Sequence, residues 1–157
     1  MRSLFRFAAF AVLLSFLSMP AHAYEGWVFD ANSRWAGVAE PEYTLMSFRC
    51  HSDPSFRRSH VELYSDAGAR AQGSGVRVTS VFVIDGRQFR VPVHFPQFSE
   101  MNADWPMSGS VAMTDPVLEA LMAGNHAEVH GGDRAAGFSL RGSRAAISAL
   151  LAACARG

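Results

Sequence analysis

The chain holds a compact run of metal-ligand residue types, His126-Ala127-Glu128-Val129-His130. On a strand, positions i, i+2 and i+4 share a face, so His126, Glu128 and His130 would stand in one row. Two imidazoles and a carboxylate are a zinc-ligand set that leaves a position open for water, the arrangement of a metal-dependent hydrolase. The spacing works against convergence. Side chains two apart on a flat strand lie roughly 6–7 Å from one another, and three in line do not meet at one ion. A helix would bring His126 and His130 together, but Gly124 and Gly131-Gly132 bracket too short a stretch to sustain one. The expectation is a solvent-facing polar strand face over buried Ala127 and Val129, with no metal and no cofactor. A metal-binding protein or metal-dependent hydrolase using His126, Glu128 and His130 stays open as the alternative.

Other reactive residue types lack a partner at the right spacing. Cys50 adjoins His51, yet neighbours on a strand point to opposite faces, so the two do not form a thiolate–imidazole dyad. Gly73-Ser74-Gly75 lacks the strand–elbow–helix setting of a nucleophilic serine. It also fails as a phosphate loop, because the chain contains no lysine and no helix follows. Aspartates and glutamates are scattered, with no pair set apart for acid–base work. The reading is a non-enzymatic protein.

The setting for these residues comes from the N-terminus. Arg2 and Arg6 precede an apolar run from Leu4 to Leu17, Pro20 breaks it, and Ala21-His22-Ala23 supplies small residues at the positions a signal peptidase requires. The sequence therefore predicts a signal peptide over residues 1–23, cleavage between Ala23 and Tyr24, and a single periplasmic or secreted domain over 24–157. The apolar run is too short to span a hydrocarbon core of roughly 30 Å, and nothing after it is a second span. Fourteen basic and fourteen acidic side chains leave the chain neutral. Loss of Arg2 and Arg6 tips the mature part slightly acidic, so the concentrated positive stripe that nucleic acid requires is missing. Cys50 and Cys154 are the only cysteines. In an oxidising compartment two lone cysteines pair, here across a loop of about a hundred residues for which the chain-entropy model gives about 4–5 kcal/mol.

The elements that must position these residues are mostly strands. Short extended stretches are expected at Gly26–Asp30 and Trp35–Glu40. Stronger alternation runs through Tyr43–Cys50, placing Met46, Phe48 and Cys50 on one face, and through His60–Tyr64. A polar loop with Asp53-Pro54 and Arg57-Arg58 separates the last two. From Val76 to Phe95, two alternating runs meet at Asp85-Gly86, the signature of a hairpin with a type I′ turn. Met107–Met113, Asn125–His130 and Gly137–Arg141 complete the strands. Asp115-Pro116 predicts an N-cap and first helical residue, with Gly124 as the C′ glycine of that helix. Ser143 is the expected N-cap of a closing helix whose stripe of Ala146, Ile147, Leu150, Leu151 and Cys154 faces inward. The fold class is mostly β: an antiparallel β-sandwich or open barrel with a C-terminal helix packed on it, tied by one disulfide.

The aromatic residues suggest where a partner would bind. Trp27 and Trp35 are expected in the core. Phe98 and Trp105 fall in an irregular segment, Pro96–Trp105, next to a strand carrying Pro92. Proline cannot donate to a ladder, so that strand is expected at an edge or bulged. An edge beside an aromatic loop offers backbone pairing and an apolar anchor, making Phe98 and Trp105 the candidate contacts for a protein partner in the cell envelope.

The strand Leu45-Met46-Ser47-Phe48-Arg49-Cys50, the central hairpin, Phe138-Ser139-Leu140-Arg141-Gly142 and the helix Ala145–Cys154 together form a layout. That layout resembles the periplasmic accessory proteins associated with type VI secretion (the VasI type) and related exported proteins. The resemblance spans nearly the whole mature chain. It implies a disulfide-tied β-rich fold, a secretion-associated accessory role and no catalytic residues. An inhibitor or immunity-type protein for an envelope enzyme is a further alternative, and the sequence leaves the oligomeric state open.

Overall fold

A computed structural model describes residues 26–40, 43–65, 77–94, 107–131 and 134–156. Nine strands form one antiparallel sheet. They are β1 (Val28–Asp30), β2 (Trp35–Glu40), β3 (Tyr43–Cys50), β4 (His60–Ser65), β5 (Arg77–Ile84), β6 (Arg87–His94), β7 (Met107–Ala112), β8 (His126–Gly131) and β9 (Arg134–Ser139). Two helices, α1 (Pro116–Ala123) and α2 (Ser143–Arg156), complete the described elements. The strand order is β1-β2-β3-β4-β7-β6-β5-β8-β9. The sheet is open, but its ends converge at one point, where the Trp27 amide donates to the Arg141 carbonyl at 2.9 Å.

Alternation decides the faces. Along β5, Ser80, Phe82 and Ile84 are buried, and Val91 and Val93 of β6 join them. Met46, Phe48, Val61, Leu63, Val111, Ala127, Val129 and Phe138 extend this inner face across the other strands. The helices cover it. Ile147, Leu150 and Cys154 of α2 are fully buried, as are Val117, Leu118 and Leu121 of α1. Helix α2 packs on β1, β2 and β3, and α1 packs on α2 and β5. Trp27 is buried as expected, stacked on Phe48 and tilted against Phe138, whereas Trp35 is only half-buried. It is the first residue of β2, directly after the β1–β2 turn.

The expected hairpin is present, and its turn shows why Asp85-Gly86 encodes it. Both central residues have positive φ, 45° at Asp85 and 81° at Gly86, which the type I′ geometry demands. The register runs from Ile84↔Arg87 to Arg77↔His94. Cys50 and Cys154 form the expected disulfide, their Cα atoms 5.2 Å apart.

Three local expectations need correction. Strand β6 is not an edge: it lies between β5 and β7. A two-residue turn makes Ile84–Arg87 a hydrogen-bonded pair, so every second pair is bonded and Thr79↔Pro92 is not. The amide that Pro92 lacks would therefore point at β7. Among the described residues the β6–β7 ladder has the single pair His94↔Ser108, and the proline marks a seam inside the sheet. Ser143 does not cap α2; its hydroxyl donates to the Leu121 carbonyl at 2.7 Å and ties the two helices together. Gly124 ends α1 with φ −83°, not in the left-handed region. A glycine is needed there for space, since a Cβ would lie 2.8 Å from Ile84 Cγ2 and 2.9 Å from Leu140 Cδ1. By contrast, Asp115 caps α1 as read, accepting from the Val117 amide at 2.9 Å.

Candidate functional site

The expected metal-type residues share the outer face of β8, over fully buried Ala127 and Val129. The Glu128 carboxylate lies 3.1 Å from His130 Nε2, pairing two members of the row. His126 is turned toward Gly137 on β9. Among the described residues, no three His, Cys, Asp or Glu side chains form a group that could hold a metal. Phe98 and Trp105 lie outside the described residues, as do residues 1–25 with the expected cleavage site.

The structure builds a different site at the end of β3. Cys50, anchored to α2, is the last residue of that strand, and residues 51–59 form the loop to β4. Asp53-Pro54 starts a turn for a physical reason. The Asp53 carboxylate accepts the Ser55 amide at 2.9 Å and the Ser55 hydroxyl, while proline presets the following φ. The Asp53 carbonyl then accepts the Phe56 amide at 3.1 Å. The Phe56 carbonyl accepts the amides of Ser59 and His60, at 2.9 and 2.8 Å. The far end is fixed by the Met113 amide, which donates to the Ser59 carbonyl at 2.8 Å. Arg57 folds back so that its guanidinium reaches the carbonyls of His51 and Ser52, at 3.4 and 3.3 Å.

Glu62 on β4 holds the near end. It accepts the Ser52 amide at 2.8 Å and the Ser52 hydroxyl on Oε1, and the Tyr64 hydroxyl at 2.7 Å on Oε2. His51 Nδ1 accepts the Asp53 amide at 3.1 Å and lies 3.8 Å from Glu62 Oε1, the oxygen that Ser52 bonds. Burial pushes the Glu62 carboxyl up, but the donors from Ser52 and Tyr64, with His51 beside them, outweigh it and leave it below the ordinary carboxylate value. Burial, then the bond to Glu62, pushes the Tyr64 phenol up to about 12. The Ser55 hydroxyl and amide hold Asp53 below its ordinary value. Arg49 sits over the Tyr64 ring, 5.6 Å from its centre.

The result is a braced loop that presents one aromatic side chain. Phe56 is 46% exposed, the one exposed large apolar side chain among the described residues. Its ring lies 5.3 Å from His51 and 5.4 Å, edge-on, from His60. Arg58 beside it is exposed and makes no ion pair among the described residues. The loop's one carboxylate, Asp53, is engaged by Ser55, and with Arg57 and Arg58 the loop's net charge is positive. Sequence reading placed this segment as a polar loop and passed over Phe56. The available signal was a lone aromatic inside an otherwise polar turn begun by Asp-Pro.

A second carboxylate acts in a similar way at the other hairpin. Asp85 accepts the Asn125 amide at 2.9 Å and the His126 amide at 3.0 Å, fastening the β5–β6 turn to the start of β8. These two amides hold its carboxyl below the ordinary value. This clamp ties two turns of the sheet together. No protein-family model, curated protein or solved structure matches the chain.

Proposed function

We propose that the protein is an exported, non-enzymatic binding domain whose 51–59 loop docks on an acidic protein surface in the cell envelope. The observation that carries this reading is Phe56, a large apolar side chain held in water by a loop whose backbone and side chains are internally bonded. Ordering is costly in binding, and a loop fixed beforehand reduces that cost. An aromatic on such a loop is the usual form of an interface anchor. Arg57 and Arg58, next to it, favour a partner with a carboxylate rim around an apolar depression. The Cys50–Cys154 bridge supports an oxidising compartment, in keeping with the leader-like N-terminus. Phe98 and Trp105 remain proposed as secondary contacts, and a secretion-associated accessory role is the broader assignment that the family resemblance supports.

The test compares capture from an envelope extract by the mature domain and by its Phe56→Ala and Arg58→Glu variants. A partner retained by the parent, lost with both variants and weakened by added salt is the expected result. Equal retention by all three proteins would show that the loop is not the binding surface.

A further inference from the structure

The two ends of the sheet are built differently. Edge strand β1 has three residues and lies under α2, whereas β9 has six residues and no strand beside it among the described residues. The hydrogen-bond parity of β9 follows from three contacts. Leu140 donates to the Asn125 carbonyl at 2.9 Å, so Ala127↔Phe138 and Val129↔Ala136 are the bonded pairs with β8. Asp85 donates to the His126 carbonyl at 3.1 Å, confirming that the alternate residues of β8 bond to β5. The amides and carbonyls of Ala135, Gly137 and Ser139 therefore point away from the sheet. The next carbonyl of the same parity, that of Arg141, is taken by Trp27. Natural edges are blocked by charge, proline or a bulge. Between residues 135 and 139, Ala-Ala-Gly-Phe-Ser carries no charge and no proline, and the ladder to β8 runs without a register shift.

We infer that β9 pairs antiparallel with β9 of a second copy of this chain, about a two-fold axis at Gly137. The outward residues are symmetric about that position. A copy placed so sets Ala135 against Ser139 of its mate and Gly137 against Gly137, with outward groups meeting outward groups at each step. Their exposed side chains are a methyl, a hydrogen and a hydroxymethyl, small enough to face one another across the axis. Those same small side chains form no pockets for alternate residues of a foreign strand, which is how strand addition selects a different partner. Glu128 shares the row of Gly137. Across the axis, the two Glu128 carboxylates stand three strand spacings apart, about 14 Å, beyond the roughly 8 Å screening length at physiological salt. This surface is separate from the Phe56 loop.

Sedimentation of the mature chain from roughly 1 µM to 1 mM tests the pairing, since an edge ladder this short makes a weak dimer. The expected result is a concentration-dependent monomer–dimer equilibrium. Ala135→Lys, at an exposed position, should weaken association about tenfold or more. Combining Ala135→Lys with Ser139→Glu should restore it, because the two new charges face each other twice across the axis. Circular dichroism of each variant confirms the fold. A monomer throughout the range overturns the inference, as does a dimer that Ala135→Lys leaves unchanged or that the double variant fails to rescue.

Discussion

The seam at His94↔Ser108 divides the sheet into two halves that are held by different means. In the β1-β2-β3-β4-β7 half, α2 lies across three of the strands and the Cys50–Cys154 bridge fastens the helix to β3. In the β6-β5-β8-β9 half there is no covalent tie: two hairpins of consecutive strands, β5–β6 and β8–β9, are joined to each other by the β5–β8 ladder and the Asp85 clamp. The reinforced half displays the Phe56 loop, and the other half ends at β9, which has no strand beside it among the described residues. Long-range fastening is concentrated where a loop must be held in one shape against solvent. Where turn chemistry fixes the β5–β6 register, the long-range fastening is a backbone ladder and one carboxylate, with no covalent bond.

Removing the bridge should produce the largest effect. Replacing both cysteines, as Cys50→Ala with Cys154→Ala, is expected to cost about 2–5 kcal/mol in denaturant unfolding. The loss should also be uneven. Hydrogen exchange is expected to show amides of β2, β3 and residues 51–59 opening well before those of β5 and β6. If β5 and β6 lose protection equally, the two halves form one cooperative unit and the contrast between them fails.

The local half has its own point of failure at Gly86. Its φ of +81° is strained for any residue with a Cβ, although a Cβ there would meet nothing within 4 Å. Gly86→Ala is therefore a pure backbone change, expected to cost about 1–2 kcal/mol. Gly86→Asn should cost less, because asparagine tolerates the left-handed region. A Gly86→Ala midpoint equal to that of the parent would mean that tertiary packing, not the turn, sets the β5–β6 register.

The same division explains how much could be read in advance. The hairpin, the α1 cap at Asp115 and the inward stripe of α2 are short-range signals, and each is found where the residues place it. The disulfide was legible because two cysteines leave no choice of partner. Neighbours distant in sequence were not. Pro92 correctly signalled a missing donor, but sequence could not say that β7 would lie beside it and form a seam instead of an edge. Ser143 has N-cap chemistry, yet the Leu121 carbonyl of another helix claims its hydroxyl. Strand β9 begins three residues before the expected Gly137, since Arg134 and the two alanines after it carry no alternation. Glu62 looked like any solvent-facing strand residue. Its role depends on Ser52 and Tyr64 converging on one carboxylate, which residue spacing does not reveal.

Glu62 gives the next, smaller effect, with a sign fixed by its environment. Its folded-state pKa lies below the ordinary 4.5. Its contribution to stability is therefore complete above that value and is lost as pH falls through the lower folded value. Tyr64 works at the opposite end. Its pKa is raised from 10.0 to about 12, so its contribution is present below pH 10 and lost as pH rises toward 12. Glu62→Gln should flatten the acid limb of the stability–pH curve, and absorbance titration should show Tyr64 ionising at a lower pH in that variant. The change in midpoint at neutral pH should be modest, because the glutamine side-chain oxygen can still accept a hydrogen bond from Ser52 or Tyr64. An unchanged acid limb would mean that other carboxylates, Asp85 among them, carry the acid sensitivity.

The smallest effect on stability should come from the residue with the largest claim on function. Phe56 is 46% exposed and its ring contacts are with the imidazoles of His51 and His60, so truncating it removes little packed surface. The bonds that shape the loop come from its backbone and from Asp53, Ser55 and Arg57, and Phe56→Ala leaves them all in place. Surface substitutions of this kind shift stability by about 0.5 kcal/mol or less. The variant should unfold at the parent's midpoint while losing the captured partner. A loss above about 1 kcal/mol would instead make the ring part of the loop's support, with its contacts to His51 and His60 helping to hold the turn. In that case the reinforced half would be displaying nothing, and the reason for tying Cys50 to α2 would have to be sought in the sheet itself.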